Sequence, residues 1–182
     1  MNASFLSFGL SLALLAGISS TSILAGIKLG EVPPSIKLSG DLGGRLTGAD
    51  WASEELKGKV HVLFYVDPDE KDLNDHAAQA LKAEAFPLDA YTSIAIINMA
   101  ATWKPNFAIE SRLEEKQKEF PHTIYVKDFQ KLLVKQWQLA DDSSDVVVFD
   151  KDGKVVFVKM GKLADADVAQ LVQVVRANLS SR

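Results

Sequence analysis

The chain has 182 residues, 20 Lys+Arg against 24 Asp+Glu, and no cysteine. Without a thiolate there is no disulfide framework, no zinc-thiolate or iron–sulfur ligation and no thiol nucleophile. A net charge of −4 and a pI near 5.4 give no electrostatic footprint for a nucleic acid or an anionic membrane surface.

All charged residues lie from Lys28 onward. Ahead of them, residues 5–15 (FLSFGLSLALL) form an apolar run followed by Ser19, Ser20, Thr21 and Ser22. That is the layout of a secretory signal, an apolar core and then a small-residue cleavage zone. A signal peptide over residues 1–25 is expected, cut after Ser22 or Ala25, with residues 26–182 as a single domain. The segment departs from the pattern in having no Lys or Arg before its apolar core. An uncleaved anchor is the alternative, because residues 5–27 just supply the roughly 20 apolar residues of a membrane span. A mature chain of this size can bury about 70% of its unfolded surface without disulfide or metal staples.

Along that chain strand and helix signals alternate. Residues 27–45 are rich in Gly and Pro and read as a lead-in hairpin or extended arm. A short helical turn is expected over residues 48–56, ended by Gly58. Residues 59–66 (KVHVLFYV) are nearly continuous in apolar and β-branched side chains, which suits a strand buried on both faces. A helix is expected from about Asp72 to Ala85, with Leu73, Ala77, Ala80 and Leu81 along one face. Residues 91–99 read as a second buried strand and residues 108–120 as a second helix, with Ile109, Leu113 and Phe120 inward, stopped by Pro121. Residues 122–127 read as a third strand, and residues 132–139 are open between helix and strand. Residues 145–149 and 154–159 form a β-hairpin whose Asp152-Gly153 pair supplies positive φ values. A last helix covers residues 164–179, with Val168, Leu171, Val172 and Val175 on one face. βαβ alternation followed by a hairpin and helix argues for an α/β fold, a sheet with helices on both sides.

That order resembles the thioredoxin-like fold in its redoxin form. The segments LKGKVHVLFYV and WQLADDSSDVVVFDKDGKV and the closing helix are similar to the YtfJ family of secreted bacterial proteins, from about Val32 to Val175, most specifically at Trp137-Gln138-Leu139 and at Ser143-Ser144 leading into VVVFDKDG. The resemblance implies a periplasmic thioredoxin-like domain, a central mixed β-sheet flanked by helices with an N-terminal hairpin-type extension. It also brings an old label as a predicted transcriptional regulator, which the absence of a basic cluster or recognition-helix pattern disfavours.

In active thioredoxins the loop and helix start after the strand matching residues 60–66 carry the reactive Cys, its pKa lowered by backbone N–H groups and the helix dipole. Here that stretch is Asp67-Pro68-Asp69-Glu70-Lys71-Asp72-Leu73-Asn74. The resemblance also implies a cis-proline just before residues 146–149. Ser143-Ser144-Asp145 stand there, and no proline follows Pro121. Thiol-disulfide exchange and peroxidase chemistry are thereby excluded.

Two uses of the altered loop remain. Asp67, Asp69, Glu70, Asp72 and Asp75 with His76 could offer oxygen and imidazole ligands to a cation such as Ca²⁺, although the spacing is not an EF-hand, and acidic residues at a helix start also follow from capping and the macrodipole. Alternatively, if the first two strands are parallel, Trp103, between a buried strand and a helix, shares with residues 67–70 the edge at their carboxyl ends, where ligands bind in α/β sheets. Trp103 packing locally over its helix is the structural alternative. Residues 150–153 read as a hairpin turn rather than a calcium loop, and residues 40–48 lack the ending of a P-loop. No G-x-S-x-G elbow occurs. The resulting expectation is a non-catalytic periplasmic binding or adaptor domain in the cell envelope. It has no cofactor and no metal, and it contacts an envelope protein or peptide through Asp67, Asp69, Glu70 and Trp103. The runner-up is a cysteine-independent enzyme or cation-dependent protein. Membrane contact is expected only if the amino-terminal segment is retained.

Overall fold

The computed structural model describes residues 26–181, so the expected signal segment and its cleavage after Ser22 or Ala25 lie outside the described residues. In chain order the elements are β1 (Lys37–Leu38), β2 (Gly43–Arg45), β3 (Trp51–Ala52), β4 (Val60–Val66), α1 (Asp75–Ala83), β5 (Tyr91–Asn98), α2 (Asn106–Glu119), β6 (Ile124–Asp128), α3 (Leu132–Trp137), β7 (Ser144–Phe149), β8 (Val155–Lys159) and α4 (Asp165–Ser180).

Strand β4 lies inside the sheet because residues 60–65 are all buried, leaving neither face to water. It pairs with β5 in parallel and with β7 antiparallel. A six-stranded mixed sheet results, in the order β2-β6-β5-β4-β7-β8. Two parallel pairs need crossovers, and α1 and α2 supply them. Both crossovers step the same way across the sheet, so the right-handed rule sends both helices to one face.

On that face Val60, Val62 and Phe64 pack with Ala77 and Leu81 of α1 and Leu171 and Val175 of α4. Ile97 and Tyr125 pack with Ile109 and Leu113 of α2. The period of two turns Leu63, Tyr65, Ile94, Ile96, Val147 and Phe149 to the other face. There they meet α3, through Leu133 and Trp137, and the amino-terminal extension, through Ile36, Leu38, Trp51 and Leu56. Burying a large aromatic of this kind is worth on the order of 3–5 kcal/mol, and Trp137 is fully enclosed. Its indole N–H donates to the Pro34 carbonyl at 2.8 Å, which ties the lead-in arm to α3.

Local details differ from the sequence expectation. The extension is not one hairpin: β1 pairs with β3, while β2 between them joins the edge of the main sheet. Within residues 48–56 only Ser53–Leu56 is helical, as a 3-10 turn after β3. Helix α1 begins at Asp75 rather than near Asp72, since Leu73 N–H bonds to Glu70 O and Asp75 N–H to Asp72 O in successive tight turns. In the β7–β8 turn only Gly153 has positive φ. The Asp150 carboxylate shapes the rest, accepting the N–H groups of Asp152 and Lys154 at 2.9 and 2.8 Å.

Candidate functional site

The parallel pairing of β4 and β5 brings two loops to one edge of the sheet. Residues 67–74 follow β4 and residues 99–105 follow β5. An ion pair between Lys104 and Asp69 joins them. Its members are partly exposed, so solvent screens its charge and it matters chiefly as a tether. Lys104, helped by the Thr102 hydroxyl, holds the Asp69 carboxyl below its ordinary value.

Four residues were expected here as partner contacts, and the structure separates them. Trp103 is 89% exposed and does not pack over its helix. Asp69 and Glu70 are exposed beside it on the first loop. Asp67 is 3% exposed and turned inward. Its carboxylate accepts the Asp69 N–H at 2.7 Å in an Asx-turn, and its own N–H donates to Ser143 O at 2.8 Å. Burial pushes the Asp67 carboxyl above its ordinary value, against the lowering effect of the Asp69 N–H. Asp67 therefore organises the loop and is not a contact surface.

The cation arrangement does not assemble. Asp69 is held by Lys104, Asp72 by Lys71 and Asp75 by Lys116, while His76 bonds through Nε2 to the Leu163 carbonyl at 2.9 Å. Among the described residues no three His, Asp or Glu side chains are grouped to hold a metal ion. Three of the carboxylates are paired with lysines, Asp67 is carried into the interior, and Glu70 is exposed.

The place where the resemblance puts a reactive thiol is filled by a polar clamp. Asn74, 3% exposed, donates through its amide nitrogen to Ser144 O at 2.7 Å and Gly161 O at 3.0 Å, and accepts the Leu163 N–H at 2.9 Å. It stands at the N-cap of α1 yet makes no side-chain cap bond. The amide is spent on stitching the 67–74 loop to the start of β7 and the entry of α4. Before β7 there is no cis peptide bond, nor elsewhere among the described residues. Asp145, fully buried, accepts the N–H groups of Ala140 at 2.7 Å and Gly161 at 3.0 Å.

Sequence reasoning missed Phe107, 74% exposed in the first turn of α2. A signal was present: Phe107 lies two positions before the inward Ile109, on roughly the opposite side of a 3.6-residue helix. It also missed Asn98, whose amide donates to the Asp141 carboxylate at 2.8 Å. With the 2.6 Å ion pair to Lys131, that bond makes Asp141 a fixed part of this edge rather than a solvated loop residue. Trp103, Phe107, Asp69 and Glu70 together form an exposed surface with two aromatic groups and acidic neighbours, held on a tethered pair of loops.

Residues 36–178 match the family described as "Bacterial protein of unknown function (YtfJ_HI0045)". An uncharacterized protein from Haemophilus influenzae is 32% identical over 176 residues, spanning 90% of this chain and 95% of that one. Uncharacterized protein YtfJ from Escherichia coli is 33% identical over 129 residues, 69% of this chain and 70% of that one. Among solved structures, the thioredoxin domain of a thiol-disulfide oxidoreductase from Bacteroides vulgatus superposes with a TM-score of 0.60 at 17% identity, covering 81% of this chain and 97% of that one. The fold is thus thioredoxin-like, on a chain that has no cysteine.

Proposed function

This chain belongs to the YtfJ family, and from that premise we propose that it is a non-catalytic thioredoxin-like domain of the bacterial cell envelope. It acts by binding a protein or peptide at the edge formed by Trp103, Phe107, Asp69 and Glu70. The observation that carries this reading is Trp103, 89% exposed on a loop tethered by the Lys104–Asp69 ion pair. Exposing a large aromatic on a positioned loop offers an interface anchor with little ordering left to do on binding. The chemistry of the family fold has no thiol to run on here, and Asn74 closes its place, whereas Asp69 and Glu70 on the same loop face solvent.

The signal-like amino-terminal segment supports a periplasmic location, with retention on the membrane if that segment is uncleaved. Mass spectrometry of the mature amino terminus tests this: a start at Ile23 or Gly26 supports export with cleavage, and an intact Met1 in the cytosol overturns it. For the surface, envelope extracts are passed over the wild type, Trp103→Ala, and an Asp69→Lys/Glu70→Lys double variant. A partner held by the wild type and lost from both variants, at equal melting temperatures, is the expected result. Equal recovery on all three overturns the reading.

A further inference from the structure

Helices α1 and α2 lie side by side on one face of the sheet but do not fill the space between them. Polar contacts link their outer sides: Lys116 to Asp75 at 3.2 Å, Gln79 to Glu119 at 2.8 Å, and Lys82 to the Glu119 carbonyl at 3.0 Å. Beneath this roof is a cavity of about 210 Å³. Its floor is Phe64, Val66, Ala95, Ile97 and Tyr125, from three adjacent strands. It stays open because Ala78, Ser93, Ala95 and Ala108, where the helices and β5 converge, are all small. A second cavity of about 240 Å³ continues toward the start of β5 and shares Ala78, Ser93, Phe120 and Thr123 with the first. The trough is open to solvent along part of its length, and a mostly apolar cleft between two helices with a few polar groups at its rim is the usual form of a small-molecule site.

Two further observations state what kind. Tyr125 is 7% exposed, and its hydroxyl makes no hydrogen bond with any described residue but reaches the open trough, since among the described residues only Trp51 Nε1 and Asn98 Oδ1 are buried side-chain atoms without a partner. Burial, with the Glu119 and Asp75 carboxylates nearby, pushes that hydroxyl up to about 12, so it is a donor at neutral pH. At the rim, Lys71, Lys104 and Lys116 are each engaged by a carboxylate. Arg112, an exposed residue of α2, is alone among the cations lining this cavity in having no ion pair or hydrogen bond with a described residue, and its charge acts on Asp72. Arg112 borders the first cavity, whereas in the second Lys82 is committed to the Glu119 carbonyl and the Phe120 ring, so the cation without a described partner lies at the first end of the trough.

We propose that the trough between α1 and α2 binds a linear acyl carboxylate, its head on Arg112, its chain along the floor and Tyr125 donating to an oxygen of the head. Benzene, with six carbons, occupies an engineered cavity of about 150 Å³, so on that scale the first cavity takes about eight carbons and a ten-carbon chain fills it and enters the second. The site adjoins the Trp103 surface through Lys104, but neither Trp103 nor Asp69 lines it.

Decanoate, with decanol as its uncharged counterpart, is titrated calorimetrically into the mature protein and variants. Saturable one-to-one decanoate binding is expected, with a raised melting temperature. Arg112→Gln weakens decanoate about tenfold, the loss of one charge-assisted contact, and leaves decanol unchanged. Tyr125→Phe weakens decanoate severalfold without lowering the melting temperature. Ala95→Leu and Ala78→Leu, which fill the trough, abolish binding of both ligands; either folded variant suffices. Absence of saturable decanoate binding overturns the proposal. So does equal affinity in the wild type and a folded trough-filling variant, or decanol binding as tightly as decanoate. Trp103→Ala leaves decanoate binding unchanged, so failure here and failure of the surface reading are separate results.

Discussion

At the scale of single residues, the carboxylates near the sheet edge divide by environment rather than by position in the chain. Asp69 is exposed, and Lys104 holds its carboxyl low. Asp145 is buried in β7, and desolvation raises its carboxyl above the ordinary value despite the N–H bonds from Gly161 and Ala140. A raised folded-state value means that the folded protein binds the proton more tightly than the unfolded chain. The stability contributed by Asp145 is therefore fully present below the ordinary carboxylate value and is lost as pH rises through the raised one. Asp67 has the same sign, while Asp69 and Asp167, held low by their partners, have the opposite sign. Urea midpoints measured from about pH 7 downward should show Asp145→Asn gaining less from acidification than the wild type. At neutral pH, Asp145→Ala should cost about 2–4 kcal/mol, because two buried N–H groups lose their acceptor. A neutral Asp145→Ala variant would mean that water replaces the carboxylate.

At the scale of elements, close backbone approach decides what the apolar pattern leaves open. Strand β2 is only three residues long and contains two glycines. At Gly43, φ is +138°, and a Cβ there would stand 1.9 Å from the Lys127 carbonyl oxygen of β6. Gly43→Ala must therefore shift β2 away from the sheet edge, at a cost of about 2 kcal/mol or more from strain and overlap together. A melting temperature lowered by about 5 °C, with faster amide exchange in β2 and the facing part of β6, is the expected result; an unchanged melting temperature would show that β2 does not hold the edge. Helix α3 illustrates the same dependence. Its six residues lie between two left-handed residues, Lys131 and Gln138. Such a length has little helical stability of its own, and the burial of Leu133 and Trp137 keeps it in place.

At the scale of the whole molecule, the two faces of the sheet have different coverings. One is sealed by α3 and the amino-terminal extension around Trp51 and Trp137. The other carries the three longer helices, with the trough between α1 and α2. The exposed aromatics stand outside both cores. Trp103→Ser combined with Phe107→Ser should accordingly change stability by no more than about 0.5 kcal/mol, as for surface sites without buried partners. Chemical denaturation checks this, and a larger loss would show that these side chains belong to the fold and not to an interface.

The sequence by itself determined the absence of thiol chemistry, the order of the main strands and helices, and the burial of β4. Each rests on composition or on local periodicity, and residues 59–66 show the latter plainly. It put the loops after β4 and β5 on one edge only if those strands are parallel, and the tertiary structure supplied that pairing. Only the tertiary structure decided which loop residues face water. Asp67 and Asp69 are two apart in one acidic run, yet one turns in to the Asx-turn and the other out to Lys104. Asn74 as a clamp, Phe107 as a second exposed aromatic and the trough lined by Ala78, Ala95 and Ala108 depend on partners distant in sequence. A side chain's direction at a turn, and the space left between two helices, are set by packing across those distances.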